Sequence, residues 1–297
     1  MRTDNLIIDG TNLEYRIFYI SRKAKTSNRA GEMTYCIDKF LDTFEKLIKQ
    51  FDPTNVYAAW DKKLTYPSTN FRKELLDNQY KAGRSKPADI QEMFDQEVKL
   101  IEILESLGVR SLYPKVLEAD DICAWLAKEL SGRSVVVSVD QDLLQLVSPT
   151  VSVYNLKDLI TVENFEEKRG VTPEQFVLYK AIKGDQSDNI PGIEGYGEVR
   201  SKRLAANWDN TNVTDEIKTI VEKNIKLIDL HYGYEFQEGE KQAYEEQFKY
   251  VSGVTTDMGK FKTLCERYDF TKHLNNIDNW KRIVNRNNIV DIINRLA

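Results

Sequence analysis

The feature that most constrains this 297-residue chain is a recurring pairing of a short apolar segment with acidic residues just after it. The apolar segments alternate with amphipathic stretches through the first half of the chain, as in a parallel β-sheet covered by helices. We predict strands at residues 6–8, 56–60, 109–113 and 135–139, and a weaker one at 151–154. The sequence therefore predicts an α/β fold built on a parallel sheet.

Helical periodicity divides the chain further. We predict helices at residues 35–50, 90–107, 120–130, 173–183 and 198–208, because apolar residues recur there on one face or follow a helix-start signal. Helices dominate after about residue 165, with an irregular break at 232–239. We therefore expect an α/β core over residues 1–165 and a helical lobe over residues 166–297.

Composition limits the chemistry that such a fold can carry. The chain has three cysteines and two histidines, too few for a cysteine- or histidine-built metal site. Any divalent metal would therefore be held by oxygen, which favours Mg²⁺, Mn²⁺ or Ca²⁺. The first residues form no apolar signal segment, and no stretch approaches the ~18 apolar residues of a membrane span, so we expect a cytoplasmic protein without membrane association.

Seven acids follow the predicted strands, whose carboxyl ends should lie at one edge of the sheet, where ligands of α/β proteins bind. They are Asp9, Asp61, Glu118, Asp120, Asp121, Asp140 and Asp142. Each acid alone is typical of a turn or a helix N-cap. Together they would repel one another unless cations neutralise them. We predict a site for two Mg²⁺ ions, which can activate a water and stabilise both oxygens of an in-line displacement at phosphorus.

Two further segments carry features of phosphate binding, although the net charge of the chain is −5. Residues 62–86 contain seven basic and two acidic side chains, a local charge of +5, together with aromatic residues that are able to stack on bases. Residues 184–208 include three closely spaced glycines, Gly192, Gly195 and Gly197, just before a predicted helix, where free amides can face a phosphate, and they add Asp185 and Asp188 to the acids. Both segments favour a nucleic-acid substrate.

Six segments in this order closely resemble the flap endonuclease / 5′–3′ exonuclease family, which includes the N-terminal nuclease domain of bacterial DNA polymerase I and stand-alone phage enzymes. They are IIDGTN (7–12), AAWD (58–61), FRKELLDNQYKAGR (71–84), LEADD (117–121), SVDQDLLQLV (138–147) and GDQSDNIPGIEGYG (184–197). The resemblance covers about residues 5–208. It implies a PIN-like nuclease core, an arch or gateway at about 62–96 and a helix-three-turn-helix DNA-binding element at about 172–208.

The resemblance also implies roles for individual residues. One metal group would be Asp9, Asp61, Glu118 and Asp120, and the second would draw on Asp121, Asp140, Asp142, Asp185 and Asp188. The implied catalytic residues are Lys81 and Arg84, at the scissile phosphate, together with Asp9, Asp120 and Asp140. The other implied DNA contacts are Arg72 at the gateway, Tyr80 by stacking, and Gly192, Gly195, Gly197, Arg200, Lys202 and Arg203 around the glycine turn.

The implied activity is a metal-dependent 5′ nuclease of branched or 5′-ended DNA, with RNA–DNA hybrids and RNA primers as further substrates. The implied cofactors are two Mg²⁺ ions, which Mn²⁺ can replace, and a K⁺ ion at the glycine turn. We expect a monomer that works with replication proteins in a bacterial cytoplasm or a phage-infected cell. The sequence departs from the family pattern at Gly83, where asparagine is frequent, and its arch is short. It also has no polymerase domain and no assignable motif after residue 208.

Two other interpretations stay open at this point. A phosphatase of the haloacid dehalogenase type also has a DGT segment after a strand, but its nucleophilic aspartate would fall at Ile7 here. A DNA-binding protein without catalysis is the second alternative, and it predicts flap binding without magnesium-dependent cleavage.

Overall fold

The computed structural model of the protein describes residues 2–61, 70–83, 88–209 and 213–284. Within these ranges one sheet has six strands in the order β3-β2-β1-β4-β5-β6. They are β1 (Thr3–Asp9), β2 (Pro53–Ala59), β3 (Arg110–Leu112), β4 (Ser134–Val137), β5 (Val151–Tyr154) and β6 (Leu159–Ile160). Neighbouring strands are parallel except β6, which pairs antiparallel with β5.

Fourteen helices are present in the described ranges, with a 3₁₀ turn at Asp142–Leu146. They are α1 (Gly10–Ser21), α2 (Tyr35–Phe51), α3 (Phe71–Leu75), α4 (Ile90–Ser106), α5 (Ala119–Glu129), α6 (Val162–Arg169), α7 (Pro173–Lys183), α8 (Glu198–Ala206), α9 (Asp215–Ile228), α10 (Leu230–Phe236), α11 (Glu240–Val251), α12 (Met258–Arg267), α13 (Thr271–Asn275) and α14 (Ile277–Val284). None of these helices combines the length and the apolar character that a membrane crossing requires.

Helices cover both faces of the sheet, and this explains why its strands are continuous apolar runs. Side chains alternate along β1, so Ile7 packs into one core while Leu6 and Ile8 pack into the other. The core around Ile7 includes residues of α5, α7 and α9 to α11. The core around Leu6 and Ile8 includes residues of α1, α2, α4, α12 and α14. Helices late in the chain therefore lie on both faces.

The order of the strands creates a crevice at one place along the sheet edge. The chain moves outwards from β1 to β2 and β3, and then returns to place β4 on the other side of β1. Ile8 is level with both Ala58 and Val137, so the carboxyl ends of three strands lie side by side. Ligands of open α/β sheets bind at such a switch point. Asp9 directly follows Ile8, and Asp61 and Asp140 come three residues after Ala58 and Val137, so predicted acids follow all three strands.

The predicted α/β fold and its five strands are confirmed. Strand β6 was not predicted, because two residues are too short to show a periodic pattern. The predicted break at 232–239 is wrong over most of its length, since α10 is capped by Asp229, which accepts from the backbone N–H of His231 (2.9 Å) and of Tyr232 (3.4 Å). The predicted boundary at residue 165 stays a prediction, and the helices after it are shared between the two faces.

Candidate metal centre

Asp9 and Asp140 lie on either side of the switch point and are joined by one hydroxyl. Ser138 Oγ donates to Asp9 Oδ2 (2.8 Å) and accepts from the backbone N–H of Asp140 (3.0 Å). The backbone N–H of Asn12 donates to Asp9 Oδ1 (3.1 Å). Burial raises the pKa of Asp9 to about 7, and the nearby charges of Asp61 and Asp140 act in the same direction. A carboxylate held in this way favours a cation beside it.

Asp61 follows β2 and connects it to the start of α5. Its Oδ1 accepts from the backbone N–H of Ala119 (2.7 Å), and its own N–H donates to Thr11 Oγ1 (2.7 Å). The surrounding protein restricts hydration of the carboxylate and raises its pKa to about 6, to which the charge of Glu118 contributes. Asp61 therefore extends the acidic group from β1 towards α5.

Glu118 and Asp120 stand at the N-terminus of α5. Glu118 accepts from Lys81 Nζ (2.5 Å) and from the Tyr80 hydroxyl (2.9 Å). Burial disfavours its charged form, but Lys81 and Arg72 outweigh this and lower the pKa of Glu118 to about 2. Burial, followed by repulsion from its acidic neighbours, raises the pKa of Asp120. The pKa values of the two acids are thus shifted in opposite directions, because Glu118 contacts the ammonium of Lys81.

Asp121 completes a group of three acids, with Glu118 and Asp120, whose oxygens lie within 4.8 Å of one another in the described part of the chain. Its carboxylate is fully buried and bound by Arg72, with Nη1 to Oδ2 at 2.8 Å and Nη2 to Oδ1 at 2.6 Å. Oδ2 also accepts from the backbone N–H of Glu118 (3.1 Å), closing a capping box. Its metal role stays a prediction that Arg72 disfavours, because both oxygens are already occupied.

Arg72 and Tyr80 differ from their predicted contacts with DNA. Arg72 is 1% exposed, and its Nε also donates to the carbonyl of Leu227 (3.1 Å). Tyr80 is 7% exposed, and its hydroxyl is used by Glu118. The gateway and stacking roles stay predictions that this burial disfavours, since neither side chain is exposed on the surface of the protein. Both instead hold the start of α5.

Lys81 belongs to the basic segment, and its side chain faces the acids. Its ammonium lies between Glu118 and Asp188, with Nζ 3.8 Å from Asp188 Oδ2, and its backbone N–H donates to the Asp188 carbonyl (3.2 Å). Its backbone is in the left-handed region at φ 53°, a strained conformation that often occurs at functional sites. The other predicted phosphate contact, Arg84, lies outside the described residues, as do residues 62–69 and 84–87 of the predicted arch.

The remaining acids line one cavity of about 730 Å³, which we call the acidic cleft. Its charged lining residues are Asp120, Asp140, Asp142, Asp185, Asp188, Lys81, Lys180 and Lys183. Lys180 Nζ bonds the carboxylates of Asp142 and Asp185, the latter at 2.9 Å. Burial opposes ionisation of Asp185, but Lys180 and Ser187 outweigh it and lower its pKa to about 2. The topology thus gathers acids from β4 and from the turn after α7.

The glycine turn between α7 and α8 borders this cleft. A Cβ on Gly192 would lie 2.0 Å from the Lys183 carbonyl oxygen, so the absence of a side chain is required by packing inside the turn. Gly195 has φ 78°, and Gly197 is the exposed N-cap of α8. Exposed amides at this helix start suit an anion such as phosphate.

The predicted cations of α8 lie beside the turn. Arg200 and Arg203 are exposed. Arg200 donates to the Gly195 carbonyl (3.1 Å), and Lys202 pairs with Glu198 (2.7 Å). Their contacts with DNA stay predictions.

The acids of this centre in the described ranges offer oxygen donors, and Asp9, Asp61 and Asp120 among them have raised pKa values. Asp9, Asp61, Glu118 and Asp120 fit a hard divalent cation, because such a cation would offset their mutual repulsion and would be held by the oxygen ligands that it prefers. Sequence analysis missed Ser138, which contacts Asp9 and Asp140, and Lys180, which contacts Asp142 and Asp185. A serine after a strand and a lysine in a helix give no signal of their own, since such residues are common on surfaces.

The fold and the site place the chain in the class of α/β proteins with a mostly parallel sheet and a cluster of carboxylates at the switch point of that sheet. Residues 4–170 match the family model described as 5′-3′ exonuclease, N-terminal resolvase-like domain. The chain belongs to this 5′–3′ exonuclease family, and the resemblance in its sequence is confirmed.

Two relatives with assigned names are similar to the chain. A 5′-3′ exonuclease of Mycoplasmopsis pulmonis is 36% identical over 208 residues, covering 68% of this chain and 66% of that protein. The thermostable DNA polymerase I of Thermus thermophilus is 35% identical over 227 residues, covering 74% of this chain and 26% of the polymerase. The chain therefore spans less than two thirds of each of these relatives.

A solved structure shows the same fold. Bacteriophage T5 flap endonuclease, in a pseudo-enzyme–product complex with DNA and metal ions, superposes with a TM-score of 0.67 at 21% identity. The superposition covers 84% of this chain and 99% of the phage protein. The predicted PIN-like core is confirmed.

Proposed function

We propose that the protein is a divalent-metal-dependent, structure-specific 5′ nuclease that hydrolyses phosphodiester bonds in branched or 5′-ended DNA. The observation that supports this most is the meeting of acids from β1, β2, β4 and α5 with Lys81 at one switch point. The relatives named as a 5′–3′ exonuclease and as DNA polymerase I agree with this activity. The activity is thus that of a 5′–3′ exonuclease and flap endonuclease.

The acidic side chains would bind the metal ions, and Lys81 would bind the scissile phosphate. Asp9, Asp61, Glu118 and Asp120 would hold one ion, and Asp140, Asp142, Asp185 and Asp188 would hold the second. Divalent ions at these places supply Lewis acidity for both the entering and the leaving oxygen of an in-line displacement. Lys81 would exchange its contact with Glu118 for the scissile phosphate, and its charge would then offset the negative charge that develops there.

Substrate binding would use the surface next to the acidic cleft. The exposed N-terminus of α8, with Arg200, Lys202 and Arg203, would bind a phosphate backbone, and Arg84 would reach the scissile phosphate from the basic segment. The T5 flap endonuclease, which has the same fold, was crystallised with DNA. RNA–DNA hybrids are a further proposed substrate, since phosphate contacts of this kind carry no base information.

We infer two Mg²⁺ ions as the cofactors, with Mn²⁺ able to replace them, because the donors are all oxygens. A K⁺ ion at the glycine turn is a further proposal, and carbonyl oxygens of the turn would hold it. We propose that the protein acts as a monomer in the cytoplasm, beside replication proteins. Size measurement in solution with and without flap DNA tests the monomer.

Cleavage of a 5′-labelled flap substrate in the presence of Mg²⁺ tests the proposed activity. Asp140→Asn should reduce cleavage by at least 10²-fold and leave flap binding without metal unchanged, because it removes a ligand charge and no part of the glycine turn. The measurements are the product ladder and a fluorescence-anisotropy Kd for the flap.

Asp278→Asn is the matched control, since the Asp278 side chain is 90% exposed and lies in α14. It should cleave as the wild type does. Full activity of Asp140→Asn would contradict the assignment. Flap binding without any cleavage by the wild type would favour the non-catalytic alternative, and turnover of para-nitrophenyl phosphate alone would favour the phosphatase.

A further inference from the structure

The loop that carries Glu118 is held in place by a helix from the part of the chain where no sequence motif was assigned. Residues 113–117, which we call the 113–117 loop, run from the end of β3 to the cap of α5. Glu240, the first residue of α11, is fully buried beneath this loop. Its carboxylate accepts from the backbone N–H groups of Lys115 (3.0 Å), Val116 and Leu117 (3.2 Å).

Three successive amides that converge on one carboxylate form an anion-binding nest. A buried carboxylate is costly unless such donors satisfy it, and these three bonds are charge-assisted. A neutral amide of the same shape would present an NH₂ group to at least one of these donors. The negative charge of Glu240 therefore stabilises this conformation of the loop.

Gln247 makes a second attachment from the same face of α11, two turns after Glu240. Its Oε1 accepts from the Tyr113 N–H (3.0 Å), and its Nε2 donates to the Tyr113 carbonyl (2.8 Å). The 113–117 loop is thus fixed at its first residue and at its last three. Leu117, the last of these anchored residues, is followed directly by Glu118.

We propose that Glu240 is a positioning residue of the metal centre, which sets the place of Glu118 through the 113–117 loop. The inference rests on the proposed function, since it treats Glu118 as a metal ligand. Glu240 contacts no acid of the centre in the described hydrogen bonds and acts through backbone only. Partners that orient a ligand are generally worth about 10–100-fold in metal affinity.

Glu240→Gln tests this proposal with two measurements on the full chain. Amide hydrogen exchange without metal should show faster exchange at residues 115–117 than in the wild type, because the nest loses its charge. Calorimetric titration with Mn²⁺ should show affinity reduced about 10–100-fold. The affinity is compared at a temperature where circular dichroism shows both proteins fully folded.

Glu245→Gln is the matched control, because Glu245 is exposed on the same helix, and it should change neither measurement. Glu240→Asp keeps the charge on a shorter side chain and should give an intermediate Mn²⁺ affinity. If Glu240→Gln does not fold, Glu240→Asp decides the question by the same measurements. Wild-type Mn²⁺ affinity in a folded Glu240 variant would overturn the proposal.

The two proposals fail in different ways. If the wild-type protein binds Mn²⁺ and cleaves no DNA, the proposed nuclease activity is overturned. The role of Glu240 would still be decided by comparing the Mn²⁺ affinities of the wild type and the Glu240 variants. Wild-type protein that binds no Mn²⁺ would overturn both the metal centre and the role of Glu240 in it. Unchanged exchange at residues 115–117 in Glu240→Gln would overturn the positioning role whatever the activity.

Discussion

Arg72 and Asp121 form an ion pair that is closed to solvent, and this changes how a basic residue in a DNA-binding segment is interpreted. Both side chains are at most 1% exposed, and two N–H···O bonds of 2.8 and 2.6 Å join them. The sequence places Arg72 in a strongly basic segment but does not show that its partner lies 49 positions later. Local pattern predicts charge density, whereas burial is set by the fold.

Arg72→Met should destabilise the protein by about 3–5 kcal/mol, because it leaves the Asp121 carboxylate buried without a cation. Adding Asp121→Asn should recover part of this loss, since the uncompensated charge is then removed. Urea denaturation of the two variants gives both values. Arg29→Met, whose side chain is 91% exposed, is the control and should change stability by less than about 0.5 kcal/mol. A loss of DNA affinity at unchanged stability would instead support the original gateway role.

The helical hairpin of α7 and α8 was predicted well from local signals. Thr172 and Pro173 indicated the start of α7, and the structure shows a capping box between Thr172 and Gln175. The role of the turn glycines was not predictable in the same way. Gly192 is needed where two backbones approach closely inside the turn, whereas a Cβ on Gly197 would meet nothing within 4 Å. The spacing of glycines does not distinguish these two reasons.

Gly192→Ala should destabilise the protein by about 1–3 kcal/mol and weaken flap binding, because the new methyl group would force the turn away from Lys183. Gly197→Ala is the matched variant in the same turn, and its φ of −74° suits any residue. The free energy of unfolding of Gly197→Ala should stay within about 0.5 kcal/mol of the wild-type value. Urea denaturation and flap anisotropy measure the two effects. Equal destabilisation by both substitutions would contradict this account of the turn.

The whole molecule brings together acids that are distant in sequence, and this convergence could be predicted because strand ends meet at one edge. The apolar runs located the strands, and the acids after them located the centre. Lys81 was implied by the family resemblance, whereas the cation Lys180 and the supporting residue Glu240 could not be predicted. Lys180 meets Asp142 from 38 positions away, and Glu240 meets Val116 from 124. Such pairings depend on how helices dock on the sheet, which local periodicity does not encode.

The raised pKa values of Asp9, about 7, and of Asp61, about 6, predict how metal binding and pH are linked. Both lie above the usual carboxyl value of ~3.9, so the native metal-free protein binds more protons than the unfolded chain, and its stability falls as pH rises through 6 and 7. Mg²⁺ binds the ionised acids. At a concentration of about 100 times its Kd, Mg²⁺ should add about 2.7 kcal/mol to the free energy of unfolding. The gain in Tm should be larger near pH 8 than near pH 5.5.

Differential scanning calorimetry at the two pH values, with and without Mg²⁺, measures this linkage. Asp120→Asn is the comparison variant and should lose most of the Mg²⁺ increment, because it removes a proposed ligand. An increment that is the same at both pH values would contradict the protonation of Asp9 and Asp61. A melt that saturating Mg²⁺ leaves unchanged would count against the metal centre itself.

The attachment of late helices to both sides of the sheet has a consequence for synthesis on the ribosome. Trp280 of α14 stacks against Phe44 of α2, with ring centroids 6.3 Å apart, and Glu240 reaches back to the segment before Glu118. A nascent chain that has emerged only as far as α8 lacks these contacts, although all nine implied acids have already been translated. We therefore expect the acids to be held in their final places only after α11 and α14 have emerged and packed against the sheet, well after the last of these acids has been made.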